Sequence, residues 1–398
     1  MRGADATTAD ATAAVATTVD ATAPDAVPPV SGERSARTVH LVMPGGIDDP
    51  AAPSGGNTYD RRVCRELPGA GWRVHEHTVA GTWPRPGDAA RTELARLLAA
   101  FADGAVVLLD GIVACGVPGV IAPEAARLRL AVLVHLPLAD ETGLTPGEAA
   151  DLDDRERRTL RAVPVVVATS DWAARRLVHH HGLAPERVHV ATPGADIAPL
   201  ATGSGDGSRL LCVATVSPRK GQHRLVEALA ALGDLPWSCV CAGGLDQDPG
   251  YVAGLRELIE RHGLGDRVRL TGPLDGEELA GRYAAADLLV LASDAETYGM
   301  AVTEALARGV PVLATEVGGV PEAVGRAPDG TVPGVLVTPD DPAALTAALR
   351  GWLGEPDTRR TLTAAARGRR TALDGWATTS RSLAGALEQL RQETGRAA

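Results

Sequence analysis

Residues 288–307 read LLVLASDAETYGMAVTEALA, and this stretch decides the fold. Its first four residues, Leu288–Leu291, form a short apolar run of the kind found in strands buried on both faces of a parallel sheet. Seven residues separate Glu296 from Glu304, where a helical segment continues. A strand that leads through a polar loop into a helix is the repeating unit of α/β domains, so this stretch predicts one such unit.

Similar apolar runs alternate with helical segments along most of the chain. Further predicted strands are residues 39–43, 105–109, 131–136, 163–169 and 188–192 in the first half, and 209–214, 238–242, 267–271 and 310–314 in the second. This alternation predicts parallel sheets. Between residues 193 and 208 the chain becomes rich in Pro, Gly, Ala, Ser and Asp and loses its periodicity, which indicates a domain boundary.

The sequence therefore predicts an α/β protein with two doubly wound, Rossmann-like domains. The predicted N-terminal domain spans residues 37–200 and the predicted C-terminal domain spans 201–375, since 398 residues exceed one compact core. Leu383, Leu387 and Leu390 have helical spacing, so residues 376–398 are expected to contain an amphipathic closing helix. Residues 1–36, rich in Ala, Thr and Asp, are expected to be a disordered tail.

The composition of the chain limits the partners and the cellular location that can be expected. The formal net charge is -11 and aromatic residues make up 3% of the chain, so we expect no nucleic-acid partner. No stretch reaches the roughly 18 apolar residues of a transmembrane helix, and none is predicted. The five cysteines form no CxxC pair, and an odd number of them favours a reducing, cytoplasmic location.

The two glutamates of the opening stretch flank a helix start. Ligands of parallel sheets bind beyond the carboxyl ends of the strands, where free amides at a helix N-terminus attract phosphate. We therefore predict that the amides of Gly299, Met300 and Ala301 bind a diphosphate and that Glu304 binds a ribose. The alternative is that Glu296 caps the helix and Glu304 lies on its solvated face.

Several motifs in order resolve this choice. The E-x7-E element is followed by ALARGVPV at residues 305–312 and GGVPE at 318–322. Together they resemble the family-4 retaining glycosyltransferases of the GT-B fold, and the likeness extends from Thr38 to Trp376. The resemblance implies two domains facing a central cleft and a metal-independent, hexosyltransferase-type enzyme. It would move a sugar from a nucleotide-sugar donor to a hydroxyl-bearing small-molecule or glycan acceptor.

Lys220 is the only lysine among 39 basic residues. A chain so biased toward arginine that retains one lysine in a strand-to-helix loop indicates a need for a compact ammonium. The resemblance implies that Lys220 neutralises the departing diphosphate and that Glu296 holds a sugar hydroxyl. The family commonly has an arginine where this chain has Thr215, so Arg219 is a further candidate for donor binding.

Three residues of the first domain complete the predicted site. His135 follows a predicted strand, and the resemblance implies that it contacts the donor sugar, although a lone histidine is more often structural. Gly55 and Gly56 would let backbone amides approach phosphate closely, and the resemblance places them in a loop that closes against the diphosphate.

We predict neither a metal site nor a cofactor. The three histidines at 179–181 are consecutive on a predicted helix and so point in different directions. Two other functions stay open. A GT-B nucleotide-sugar epimerase or a phosphorylase would share the fold. A non-catalytic nucleotide-sugar-binding scaffold would explain the departure at Thr215.

Overall fold

The computed structural model describes residues 37–51 and 53–392. The predicted disordered tail at 1–36 lies outside the described residues, as do the last six residues of the predicted closing segment. Two parallel six-stranded sheets, each covered by helices, form the described part of the chain. The predicted α/β architecture is confirmed.

The first sheet has the strand order β2-β1-β3-β4-β5-β6. Its strands are β1 (Arg37–Pro44), β2 (Trp72–Val79), β3 (Val106–Asp110), β4 (Arg129–Val134), β5 (Val165–Ala168) and β6 (Val188–Val190). Its helices are α1 (Gly55–Glu66), α2 (Asp88–Ala99), α3 (Gly111–Ala114), α4 (Pro118–Glu124), α5 (Pro146–Ala162) and α6 (Asp171–His181). Strands β3 and β5 are buried along their whole length, as expected for central strands covered on both faces.

The second sheet has the order β12-β11-β10-β7-β8-β9. Its strands are β7 (Arg209–Val213), β8 (Ser238–Ala242), β9 (Val268–Gly272), β10 (Leu288–Leu291), β11 (Val312–Thr315) and β12 (Gly334–Val337). Its helices are α7 (Gln222–Ala230), α8 (Pro249–Arg261), α9 (Gly276–Ala285), α10 (Met300–Leu306), α11 (Val320–Val324), α12 (Pro342–Gly354) and α13 (Pro356–Arg370). Strand order turns between β7 and β10, and loops after these strands meet at one edge.

The last helix, α14 (Trp376–Gln392), returns to the first sheet. Leu383, Leu387 and Leu390 are each at most 2% exposed and pack in the same core as Leu41 and Val167. Fully burying one such leucine contributes about 2 kcal/mol. The predicted amphipathic closing helix is therefore confirmed for the residues that the structure describes.

The chain crosses between the sheets twice, and the crossings touch. The amide of Ala195, after β6, donates to the carbonyl of Asp374, just before α14, over 2.9 Å. A side chain at Gly194 would collide with the backbone of Trp376, only 2.3 Å from a Cβ atom there. Glycine at 194 lets the two segments lie side by side.

Strands β2 and β12 and helix α1 are among the elements that the sequence did not predict. Strand β2 is an edge strand with three histidine or glutamate side chains, and β12 begins with glycine, so neither forms an apolar run. Helix α1 begins at Gly55, where the sequence predicted a loop. Among the described residues, no helix has the length and apolar character that crossing a membrane requires.

Candidate active site

Lys220 and Glu296 meet at the edge where β7 and β10 end. Nζ of Lys220 lies 2.6 Å from Oε1 of Glu296, and the hydroxyl of Ser293 donates to the same oxygen over 2.8 Å. Burial alone raises the pKa of the Glu296 carboxyl, but the ammonium of Lys220, with Arg219 and Ser293, more than offsets it. The pKa is therefore lowered, and Glu296 is held as a carboxylate beside a cation.

Glycines make this approach possible. Gly221 has a φ of 64°, and a Cβ there would lie 2.0 Å from the carbonyl oxygen of Ala292. Gly318 has a φ of 56°, and its Cβ would lie 1.7 Å from the carbonyl oxygen of Glu296. Side chains at either position would displace the loop that carries Glu296. The site thus depends on Gly221 and on Gly318 of the GGVPE motif.

Arg219 lies beside this pair. Its guanidinium donates to the carbonyl of Ala295 over 3.1 Å, while its Nε atom is buried without a hydrogen-bond partner. An unpartnered buried donor is uncommon and often marks a site that a ligand completes. The sequence analysis predicted that Arg219 is a candidate for donor binding, and the structure places it beside Lys220 and Glu296. These three residues are called the Lys220 group below.

Glu304 occupies a separate part of the cleft. Its carboxylate accepts a hydrogen bond from the hydroxyl of Tyr283 over 2.8 Å, and burial raises its pKa. It lines a cavity of about 130 Å³ that both domains form. Lining residues include Thr58, Arg62, Asp196, Tyr283, Met300 and Trp376. Glu304 is therefore not on a solvated helix face, which was the alternative interpretation.

The backbone amides that were predicted to bind phosphate lie where the two domains are in contact. Gly299, with a φ of 97°, precedes α10, and Met300 and Ala301 are its first two residues. A Cβ at Gly55 would lie 3.5 Å from the sulfur of Met300. The structure therefore brings the glycine pair of the first domain against the helix start of the second.

Gly55 and Gly56 lie in a helix and not in a loop. They are the first residues of α1, and the hydroxyl of Ser54 caps this helix by accepting from the amide of Asn57 over 3.0 Å. A Cβ at Gly56 would lie 3.1 Å from the ring of His135. The loop prediction was wrong because two glycines normally disfavour a helix, whereas here Ser54 caps the helix and Gly56 leaves room for the His135 ring.

His135 follows β4 and lies over a pair of buried acids. Its Nε2 atom is 2.8 Å from Oδ1 of Asp60, whose side chain is fully buried. Burial alone lowers the pKa of His135, but the charges of Asp60 and Asp110 more than offset it, so the pKa is raised. Burial, followed by the charge of Asp60, raises the pKa of Asp110 to about 7. The sequence identified His135 but neither acid.

Only one of the two acids, Asp110, has a signal in the sequence. Asp110 ends a strand and precedes Gly111, at the carboxyl edge where ligands bind. Asp60 comes one residue after Tyr59, four residues beyond the glycine pair. A rule that inspects every polar residue at a strand end would have found Asp110, but Asp60 has no such signal.

Two further contacts tie the domains together. The hydroxyl of Ser170 donates to the carbonyl of Thr297 over 2.5 Å. The carboxylate of Glu322 accepts from the amides of Asp171 and Trp172 over 2.9 and 2.7 Å, at the start of α6. A carboxylate at a helix N-terminus is favourably placed. The sequence predicted neither contact, because each joins residues more than 120 positions apart.

Glu141 contributes a carboxyl from the first domain. Burial raises its pKa, while the charges of Arg219 and Lys220 act in the opposite direction. Glu141 lies in the first-domain loop at 139–147. Its glutamate lies within the electrostatic reach of the Lys220 group, which sequence spacing could not reveal.

Two groups of side chains lie close enough to share a cation. One comprises Asp60, Asp110 and His135, and the other comprises Asp153, His180 and His181. The sequence argument that consecutive histidines point apart does not hold for His180 and His181, because Asp153 of the neighbouring helix α5 reaches both. Both groups are already hydrogen-bonded internally. Metal independence stays a prediction.

The chain is similar to known proteins in sequence and in fold. Residues 202–369 match the family described as glycosyl transferases group 1. D-inositol 3-phosphate glycosyltransferase 1 of Catenulispora acidiphila is 35% identical over 50% of this chain and 51% of its own length. The corresponding enzyme of Kineococcus radiotolerans is 32% identical over 53% and 55%. The chain thus spans about half the length of the curated relatives it matches.

Solved structures agree over a longer range. Sucrose-phosphate synthase from Thermosynechococcus elongatus has a TM-score of 0.71 at 23% identity, covering 91% of this chain and 100% of its own. Anabaena HepE, solved with UDP and glucose, has a TM-score of 0.69 at 20% identity, covering 89% and 100%.

Two doubly wound domains that face a cleft, with a final helix packed back on the first sheet, define the GT-B fold of glycosyltransferases. The chain has this fold, as predicted. Its residues 202–369 match the glycosyl transferases group 1 family model, which confirms the resemblance to glycosyltransferases that the motifs indicated.

Proposed function

We propose that the protein is a retaining, metal-independent glycosyltransferase that moves a sugar from a nucleotide-sugar donor to a hydroxyl-bearing acceptor. The Lys220–Glu296 pair at the carboxyl edge of the second sheet carries this proposal. A single ammonium beside a carboxylate, within a matching family domain, offers one group for a leaving phosphate and one for a sugar hydroxyl. Neither side chain is more than 16% exposed, so both act in a water-poor setting.

In the proposed reaction, negative charge develops on the departing diphosphate. Lys220 and Arg219 stabilise that charge, and fixed donors of this kind are worth several kcal/mol in the transition state. The carboxylate of Glu296 accepts a hydrogen bond from a sugar hydroxyl, and Glu304 binds the ribose. Donor binding draws Lys220 partly away from Glu296, so each group gains a ligand partner as their mutual ion pair weakens.

The relatives suggest which substrates to test first. The curated relatives are named for transfer to D-inositol 3-phosphate, and HepE was solved with UDP and glucose. UDP-sugars are therefore the first donors, and inositol phosphates the first acceptors. A phosphorylated acceptor would gain from the cations near Glu141, because the charges of Arg219 and Lys220 reach this first-domain loop.

Product analysis tests the proposal. The chain is incubated with a nucleotide-sugar and acceptors, and the anomeric configuration of the product is determined by proton NMR. We expect a glycoside whose anomeric configuration matches that of the donor, formed equally well after treatment with a chelator. An inverted product, or activity that a chelator abolishes, would contradict the proposed mechanism. Interconversion of the sugar without transfer would favour an epimerase, and donor binding without reaction a scaffold.

A further inference from the structure

The two acids behind His135 form an arrangement that the proposed reaction does not use. Oδ1 of Asp60 contacts Nε2 of His135, while Oδ2 of Asp60 is buried with no hydrogen-bond partner. Asp110 is 4% exposed, and ligand atoms of the three side chains lie within 4.8 Å of one another. Two carboxyl groups are thus enclosed with one imidazole.

The surroundings offer little compensating charge. Among the described residues, no lysine or arginine forms an ion pair with Asp60 or Asp110. Titratable groups that sense these acids are the phenol of Tyr59 and the thiols of Cys64 and Cys115, whose pKa values are all raised. All three are therefore neutral near pH 7. Two buried carboxylates with one possible cation would leave an uncompensated charge, which is costly.

One distribution of protons removes the excess negative charge. If the two carboxyls keep one proton between them and the imidazole is protonated, the three groups sum to zero charge. Close carboxyl pairs commonly behave in this way, because like charges at short range cannot both ionise. The burial that raises the pKa of Asp110 to about 7 acts in the same direction.

We propose that Asp60 and Asp110 share one proton and act as positioning residues that hold His135 as an imidazolium, oriented through its Nε2 atom. Its Nδ1 atom, which has no partner among the described residues, then donates to the substrate. This inference rests on the proposed function for the identity of that substrate, a donor sugar or its diphosphate. It assigns His135 a role as hydrogen-bond donor and not as general base.

Local packing supports a fixed ring. A Cβ atom at position 56 would lie only 3.1 Å from the imidazole of His135, so Gly56 lets the backbone lie close to the ring. On another side, the ring of Tyr59 packs edge-on against the imidazole, with the two ring centroids 5.1 Å apart. The hydroxyl of Tyr59 is itself anchored to the carbonyl of Ala191 over 2.8 Å. A ring confined on these sides keeps the orientation that Asp60 imposes.

The test uses Asp60→Asn and Asp110→Asn, with exposed Asp103→Asn as the matched control. Histidine carbons are labelled, His135 is assigned with His135→Gln, and its titration is followed by NMR without substrate. We expect Asp60→Asn to lower the pKa of His135 by about one unit or more. Asp110→Asn, which keeps the single negative charge on Asp60, and the control should change it much less. A pKa of His135 that is unchanged in Asp60→Asn would overturn the proposal.

Infrared spectroscopy tests the shared proton directly. Just below pH 7 the wild type should show the carbonyl stretch of a buried protonated carboxyl, which Asp110→Asn removes and Asp103→Asn retains. Its absence from the wild type, or stoichiometric bound metal that Asp60→Asn releases, would overturn the proposal. Asp110→Asn has the shape of the protonated acid, so the test survives if Asp60→Asn fails to fold.

Kinetics link the arrangement to the reaction. Asp60→Asn should reduce kcat about tenfold to 100-fold, as expected for a misplaced contact group, while KM changes less than about threefold. An unchanged kcat would contradict a positioning role. Because the NMR and infrared measurements need no substrate, they separate failure of this inference from failure of the proposed function.

Discussion

The hydroxyl of Ser170, at the start of α6, donates to the carbonyl of Thr297, the residue after Glu296. One domain is thereby fastened to the loop that carries the central carboxylate of the other. The carboxylate of Glu322, which accepts from two amides at the start of α6, is a second connection between the same two segments. The arrangement couples the position of Glu296 to the packing of the two domains.

Glu322→Ala should weaken this connection. The carboxylate satisfies two backbone amides of α6, and losing such a cap typically costs about 1 to 2 kcal/mol. We expect the free energy of unfolding, measured in urea, to fall by that amount. Exposed Glu257→Ala on α8 is the control. An unchanged stability would show that the two domains do not depend on this contact.

A pair of glycine variants tests how Glu296 is held. Gly318→Ala and Gly330→Ala both place alanine at a positive φ, at 56° and 87°, but only the first meets an atom within 4 Å. Gly330→Ala should cost about 1 kcal/mol, from backbone conformation alone. Gly318→Ala should cost about 2 to 4 kcal/mol, because it also collides with the carbonyl of Glu296. Equal losses in denaturant titrations would refute the steric argument.

The Lys220–Glu296 ion pair can be measured with a double-mutant cycle. Lys220→Met leaves a buried carboxylate without its cation and should cost about 3 kcal/mol. Glu296→Gln should cost somewhat less, and the double variant should cost less than the sum of both. Strict additivity in urea unfolding would mean that the two groups do not stabilise each other.

The same pair makes stability depend on pH. Because the pKa of Glu296 is lowered in the folded state, its contribution is fully present above its ordinary value of 4.5 and is lost as pH falls below it. Glu296→Gln should therefore show a shallower loss of stability in acid than the wild type. Exposed Glu257→Gln is the matched control. Parallel curves for wild type and Glu296→Gln would contradict the lowered pKa.

Asp110 should act with the opposite sign. Its folded-state pKa is about 7 against an ordinary value of 3.8, so the folded state binds the extra proton between these values. Stability contributed by this group therefore falls as pH rises from 3.8 to about 7. Asp110→Asn lacks this loss, so its stability relative to the wild type should be higher at pH 8 than at pH 4. A pH-independent difference would contradict the raised pKa.

Much of the fold was predictable because buried parallel strands are continuous apolar runs. Strands β8 and β10 were predicted residue for residue, whereas β2 escaped because His75, Glu76 and His77 lie on an edge strand. Local pattern also failed at Gly55 and Gly56, where Ser54 caps a helix and Gly56 leaves space for the His135 ring.

The site was predictable only in part. Motifs identified Lys220 and Glu296, but their direct contact depends on Gly221 and Gly318, which bring distant loops together. Asp60 lies 75 positions from His135 in sequence, so no spacing rule could join them. Residues that act through long-range contacts can be identified only from the folded structure.

The most direct test of the central claim is the shift in melting temperature with UDP-, GDP-, ADP- and TDP-sugars, for the wild type and Lys220→Ala. A donor at 100 times its dissociation constant should stabilise the wild type by about 2.7 kcal/mol. We predict a selective shift with one nucleotide that Lys220→Ala largely loses, while the exposed control Arg350→Ala retains it. No shift with any donor, or an equal shift without Lys220, would contradict the account.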